Sequence, residues 1–267
     1  MFKIIRSNKP TILNKVSASC KYLLDNFPEA QDVKSYLKSR ITDESQNLFQ
    51  FGYFPGIDNL NSLTDMVGED ALRKVGFLFS KDIEDSLCPR TINSLYFEDY
   101  PLILPFRDVY GKTVALIGRS LLPEKELKER KISKYKNTKF LKGNFLFGLY
   151  ENKQCILEQN AVYIVEGQFD VIKAVERGFR NIVALSGSSM TPYQFSVISR
   201  YTNNMFLLLD NDEAGEKGRK LIVSRFGKLA NIQNFYLPES YKDIDEYLTQ
   251  NGNESVSFVV KAWSNLT

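Results

Sequence analysis

The stretch AVYIVEGQFDVIKAVERGFRNIVALSGSS, residues 161–189, decides the fold. Its first five residues are a compact apolar run rich in β-branched side chains, and the run stops at Glu166-Gly167. From Phe169 to Arg177 the apolar positions become Val171, Ile172 and Val175, the spacing of one helix face. NIVAL (181–185) returns to strand character and ends at Ser186-Gly187. A further helix is expected from Thr191-Pro192, since proline suits a first helical turn. The alternation continues with MFLLL (205–209), an apolar strand that ends abruptly at Asp210, and with a helix from Glu213 to Phe226. NIQNFYL (231–237) reads as a fourth strand and Asp243 to Thr249 as another helix. Apolar strands alternating with helices predict an α/β fold with a parallel sheet covered on both faces.

In such sheets ligands sit beyond the carboxyl ends of the strands. Glu166 follows the first strand, Asp210 and Asp212 the third, and Asp243 and Asp245 the fourth, so five carboxylates can gather on one edge. Hard divalent cations take oxygen ligands of this kind, and without a cation like-charge repulsion opposes such clustering. Singly, each acid has a plainer reading: Asp210 ahead of a helix has the form of an N-cap, and Glu166 can sit in a tight turn.

Upstream the rhythm differs. The first 95 or so residues read as mainly helical, with Val33, Tyr36 and Leu37 and then Leu63, Met66 and Val67 at helical spacing, and Phe54-Pro55-Gly56 marks a turn between them. LILPF (102–106) and TVALIG (113–118) form a predicted hairpin with Gly111 in its turn. Between Arg119 and Lys142 nine basic residues stand against three acidic ones, although the net charge of the whole chain is only +3. By itself a run of this kind is more often a solvated face than a phosphate-binding surface.

Composition bounds the rest. A chain of 267 residues with 43% hydrophobic content can fill one large domain or two modest ones. No stretch reaches the roughly 18 consecutive apolar residues of a membrane span, and the opening MFKIIRSNKP is too short an apolar run for a signal peptide, so a cytoplasmic location is expected. Three cysteines without a CxxC pair and the lack of histidine exclude a zinc ribbon or finger within this chain, and any catalytic imidazole.

The segments VEGQFD, ALSGSS, LLLDNDEAG and KDIDEYL, in this order and separated by helices, resemble the signature of the TOPRIM domain, shared by DnaG-type primases, topoisomerases and some nucleases. EGQFD is similar to the primase form of the first motif, with Asp170 three residues after the glycine. Further upstream, YLKSRIT, FQFGYFPG, LPFRDVYGKTVALIGR, SKYKNT and FLKGNFLFGLY resemble the polymerase core of bacterial and phage DnaG-type primases. The likeness runs from about Tyr36 to Leu248 and favours the phosphate-binding reading of the basic strip.

The resemblance implies a TOPRIM-type parallel sheet with flanking helices (159–250), preceded by a mixed α+β amino-terminal subdomain (1–158) and followed by a helix or tail (251–267). It implies synthesis of short RNA primers on single-stranded DNA from ribonucleoside triphosphates. Glu166, Asp210 and Asp212 would be catalytic, and with Asp170, Asp243 and Asp245 would hold two Mg2+ or Mn2+ ions and no zinc. Arg107, Arg119, Lys134, Asn137 and Lys142 would contact nucleotide or template, while Gly167 and Gly187 would let the backbone approach the bound groups. Neither the family's amino-terminal zinc-binding domain nor its carboxyl-terminal domain is matched, so a replicative helicase, or a separate zinc-bearing or accessory subunit, is the expected partner.

Two departures stand out: Pro101 occupies the position of the family's arginine four residues before Pro105, and Leu122–Ile132 is a small insertion. A TOPRIM nuclease or topoisomerase-like enzyme is the alternative reading, weakened by the primase-like upstream half. A non-catalytic nucleic-acid-binding subunit is disfavoured because all three principal acids are present.

Overall fold

A computed structural model of the chain describes residues 9–83 and 90–251. It divides into two compact units, Met1–Arg107 with Lys112–Phe140, and Asp108–Gly111 with Leu141–Thr267. The sequence boundary at 158/159 lies further along, because the helix ahead of the parallel sheet packs within the second unit. The expected segment after residue 251 lies outside the described residues.

The first unit begins with helices α1 (Lys9–Asn26), α2 (Gln31–Lys38) and α3 (Asp43–Phe49), strand β1 (Gly52–Tyr53), and helices α4 (Asn61–Val67) and α5 (Glu69–Lys74). Strands β2 (Leu78–Ile83) and β3 (Arg90–Leu95) then pair antiparallel. This hairpin corrects the expectation of a mainly helical first 95 residues. Its alternation is weak because both strands are largely polar, and Phe79 and Ile92 stay 40% and 39% exposed in a two-stranded ribbon. The strands β4 (Leu102–Arg107) and β5 (Thr113–Arg119) form the expected hairpin, with Gly111 at φ 86° in the turn. The segment Leu122–Ile132 contains helix α6 (Glu124–Glu129), and β6 (Tyr135–Asn137) completes a sheet of order β1-β4-β5-β6.

The second unit contains α7 (Leu149–Gln159), β7 (Val162–Val165), α8 (Gln168–Glu176), β8 (Ile182–Ala184), α9 (Pro192–Ile198) and β9 (Asn204–Leu207). After these come α10 (Glu213–Phe226), β10 (Asn231–Asn234) and α11 (Ile244–Asn251). The strands form a parallel sheet of order β10-β9-β7-β8. Val162, Ile164, Val183, Met205 and Leu207 are at most 0% exposed and make the sheet's share of a core that Ile222 and Phe226 of α10 cover. After β7 the chain places β8 on one side and β9 on the other, so the order reverses between β7 and β9. That switch point is where a doubly wound sheet opens a crevice beyond its carboxyl ends.

Helix α10 seats against main chain. A Cβ at Gly215 would lie 2.1 Å from the Asp210 carbonyl oxygen, and one at Gly218 would lie 2.1 Å from that of Ser188. Only glycine permits this approach, and it ties the helix to the loops that follow β8 and β9.

Candidate metal and nucleic-acid site

Glu166 leaves the end of β7 and Asp210 the end of β9, on the two sides of the switch point. The Asp210 N–H donates to Glu166 Oε1 at 3.4 Å. Asp212, rather than Asp210, caps α10: its Oδ1 accepts from Gly215 N at 2.9 Å. The plain N-cap reading therefore belongs to the second acid of the pair and leaves the Asp210 carboxylate out of the helix cap. Asp243 likewise opens α11, accepting from Glu246 N at 2.8 Å.

Asp170 holds two loops together. Its Oδ2 accepts from Gly167 N at 3.0 Å and its Oδ1 from Asp245 N at 3.2 Å, with the side chain buried. The sequence reading gave Gly167 the role of backbone approach; a Cβ there would stand 2.7 Å from Asp170 Oδ2. At Gly187 a Cβ would meet nothing within 4 Å, so crowding does not demand glycine there. Asp245 lies in the first turn of α11, and its Oδ1 accepts from Thr249 Oγ1 at 3.4 Å.

Burial and mutual repulsion act on these acids together. Burial first, then the charges of Asp243 and Asp210, push the Asp170 carboxyl up to about 8, despite its two backbone donors. Burial and then Asp210 and Asp212 raise Glu166, while burial and then Asp243 raise Asp210. Three of the six acids thus feel like charges across the strand ends. Among the described residues no three Asp, Glu, Cys or His side chains are already gathered tightly enough to hold an ion. Even so, an all-oxygen donor set whose members resist ionisation together is chemically suited to a hard divalent cation.

These shifts carry a sign for stability. Folded Asp170 keeps its proton to about pH 8, whereas the unfolded chain releases it near pH ~4. Stability from the bound proton is full below that lower value and is lost as pH rises through about 8. The melting temperature of EDTA-treated protein is therefore expected to fall between neutral and mildly alkaline pH, less so in Asp170→Asn. A scan that is flat over this range in the parent chain would contradict it.

Two residues that the sequence reading missed organise the edge. Arg219 on α10 is 1% exposed and donates from Nη1 to the Asp210 carbonyl at 3.2 Å and from Nη2 to that of Leu209. Its charge holds both Glu166 and Asp210 down against the larger upward effects. Its helical spacing from Ile222 and Phe226 was the available signal, since that spacing puts an arginine on the buried face. Asn211 donates from Nδ2 to Leu237 O at 3.0 Å and to Tyr241 O at 2.9 Å, and its N–H donates to Lys242 O at 2.7 Å. This clasp keeps the 237–242 loop, and so Asp243, at the end of β9.

The basic residues divide between the two units and, within the first, between the two ends of the β4–β5 hairpin. Arg119, at the end of β5, is 8% exposed; its guanidinium lies 5.0 Å from the ring centroids of Tyr36 and Tyr135, and it donates to the Tyr135 hydroxyl. Lys134 is exposed beside it, 6.0 Å from the Tyr135 ring, and Asn137 pairs with Ile117 through β6. Arg107 stands at the other end of the hairpin, paired with Thr113 where Arg119 pairs with Leu102, and it donates to the Leu48 carbonyl. Lys142 is exposed in a single turn of the second unit. Pro101 accepts from Phe54 N at 2.8 Å through its carbonyl and lines a hollow with Glu29, Asp32, Glu98 and Asp99.

Comparison with known proteins agrees with this geometry. Residues 163–248 match the family described as Toprim-like, and residues 21–153 match the amino-terminal domain of the DNA primase catalytic core. The expected boundary at 158/159 falls between the two matches. A DNA primase of Aquifex aeolicus is 28% identical over 251 residues, which cover 92% of this chain and 48% of that protein. A crystal structure of the zinc-binding and RNA polymerase domains of Aquifex aeolicus primase aligns with TM-score 0.76 at 28% identity, covering 97% of this chain and 62% of that one. A DnaG primase catalytic domain bound to single-stranded DNA aligns with TM-score 0.76 at 25% identity, covering 94% and 80%. The chain spans about half the length, or less, of the curated relatives it matches.

A parallel sheet with a glutamate at one strand end and a DxD pair at the next but one defines a TOPRIM-type domain. Joined to its upstream half, it makes this chain a member of the DnaG-type DNA primase catalytic-core family. Among the described residues no helix is long and apolar enough to cross a membrane.

Proposed function

We propose that the chain synthesises short RNA primers on single-stranded DNA from ribonucleoside triphosphates, acting in the cytoplasm. The observation that carries this reading is that Glu166 and Asp210 flank the switch point with Asp170 nearby, each carboxyl raised first by burial and then by a neighbouring acid. Glu166, Asp210 and Asp212 would hold two Mg2+ or Mn2+ ions, with support from Asp170, Asp243 and Asp245. Such ions supply Lewis-acid activation of the attacking 3′-hydroxyl and charge neutralisation on the departing pyrophosphate.

The chain's own residues do the rest. Arg119, Lys134 and Lys142 would bind phosphate oxygens of triphosphate or template, where a cation is most effective against developing charge. Asn137 would position a strand or nucleotide by hydrogen bonds, and Arg219 would keep the acids partly ionised before an ion arrives. A replicative helicase, or a zinc-bearing or accessory subunit, would deliver the template.

Incubating the purified chain with labelled ribonucleotides, a single-stranded template and magnesium or manganese is expected to yield short RNA products, abolished by EDTA. Nicking of supercoiled plasmid without RNA products would replace this reading with a TOPRIM nuclease. In the melting assay above, added magnesium is expected to raise the melting temperature more at alkaline than at acidic pH, because the ion competes with protons for the same oxygens.

A further inference from the structure

The segment Leu122–Ile132, read from the sequence as an insertion, does not lie loose on the surface. Leu127 of α6 is 6% exposed, and Arg130 reaches Asp99 at 2.5 Å and Glu126 at 3.6 Å. So held, the segment forms one wall of a cleft of about 650 Å³, a size suited to a small organic ligand. The cleft is also lined by Tyr36, whose ring centroid lies 5.0 Å from each of the guanidinium groups of Arg40 and Arg119, and by Lys134. The segment contributes the apolar side chains of Leu122, Leu127 and Ile132, and Lys128 and Lys131.

The segment's cations differ in how they are used. Lys128 lies 3.1 Å from Glu124, Lys125 lies 3.9 Å from Glu129, and Arg130 is occupied by Asp99. Among the described residues Lys131 enters no ion pair. It closes α6 at φ 53°, with its N–H donating to Lys128 O at 3.2 Å and Ile132 N to Leu127 O at 3.0 Å. Glycine is the usual residue at such a helix end, because a side chain is disfavoured in the left-handed region. Here the residue is a lysine, and it lines the cleft.

We propose that the Leu122–Ile132 segment builds a nucleotide-binding wall, in which Leu122 and Ile132 pack against a base and Lys131 holds a phosphate. An apolar face beside converging cations matches a base joined to phosphate, supplied by a free ribonucleoside triphosphate or by one nucleotide of a single strand. The proposal rests on the nucleotide-handling reading above and adds to it residues outside the motif positions.

The test is a titration of the purified chain with a fluorescent ribonucleoside triphosphate and, separately, with a short labelled oligothymidylate. Lys131→Met keeps the backbone demand and removes the charge, while Lys131→Gly also relieves the left-handed backbone. Both are expected to weaken one probe about tenfold, as for loss of a charged hydrogen bond, with no fall in melting temperature. Loss confined to the triphosphate identifies that source. Loss confined to the oligonucleotide, with its salt slope reduced by about one, identifies the strand. A second variant, with residues 124–130 replaced by a short Gly-Ser linker, should weaken the same probe at least as much. Unchanged affinity for both probes in Lys131→Met overturns the proposal. Lys131-dependent binding without primer synthesis would instead overturn the functional reading and leave the cleft standing.

Discussion

Asp210→Asn is expected to lower ribonucleotide incorporation about a thousandfold, corresponding to about 4 kcal/mol of transition-state stabilisation. The substitution retains size, and the two main-chain links at this position do not involve its side chain. Asp210 N donates to Glu166, and Asp210 O accepts from Arg219. The fold should therefore survive. Removing one charge from a group raised by burial and by Asp243 also relieves repulsion, so the melting temperature in EDTA should hold or rise at alkaline pH. A drop in activity accompanied by an equal or higher melting temperature separates a chemical role from a structural one. Incorporation within tenfold of the parent chain would remove Asp210 from the proposed metal set.

Arg219→Met should have the opposite profile, with stability as the main loss. The guanidinium is buried, so its removal leaves the carbonyls of Leu209 and Asp210 without those donors and leaves Glu166 and Asp210 without their nearest buried cation. Removing one partner from a buried polar network costs about 3 kcal/mol or more, which for a domain of this size is a fall of about 6–12 °C in melting temperature. The carboxyls should then ionise at still higher pH, moving magnesium-dependent stabilisation to more alkaline conditions. Arg219→Lys should recover part of the charge effect but not the two-donor fork that spans consecutive carbonyls. A melting temperature within two or three degrees of the parent would mean that water replaces the guanidinium and that the network is dispensable.

Much of the second unit was legible in the sequence because β7, β8 and β9 are almost wholly buried and apolar. AVYIV, NIVAL and MFLLL stand out as short runs that stop at Glu166, Ser186 and Asp210; β7 and β8 lie within the first two, and β9 starts one residue ahead of the third. Helix spacing was equally clear over α8 and α10. The β2–β3 ribbon was not legible, since its strands are half exposed and mostly polar, and pairing between Leu78 and Leu95 is a tertiary choice rather than a local one. At the candidate site, the acids were visible from their positions at strand ends. What holds them was not: Asn211 sits between two conspicuous aspartates and looks like part of the motif, yet its amide donates to carbonyls 26 and 30 residues away. Arg107 illustrates the converse, a cation in a recognisable motif that lies at the far end of the hairpin from Arg119.

The Asn211 clasp also sets a chronology. Strands β7, β8 and β9 and the residues Glu166, Asp170, Asp210 and Asp212 all precede residue 213, so they leave the ribosome before the loop that Asn211 grips. Synthesis at about 5–20 residues per second leaves an interval in which the sheet centre can pair while the Asn211 amide faces water. Asp243 joins the edge, and Asp170 gains its second backbone donor from Asp245, only when that loop docks. The acidic edge is thus completed after the centre of the sheet, and a nascent chain has β7, β8 and β9 before it has its full site.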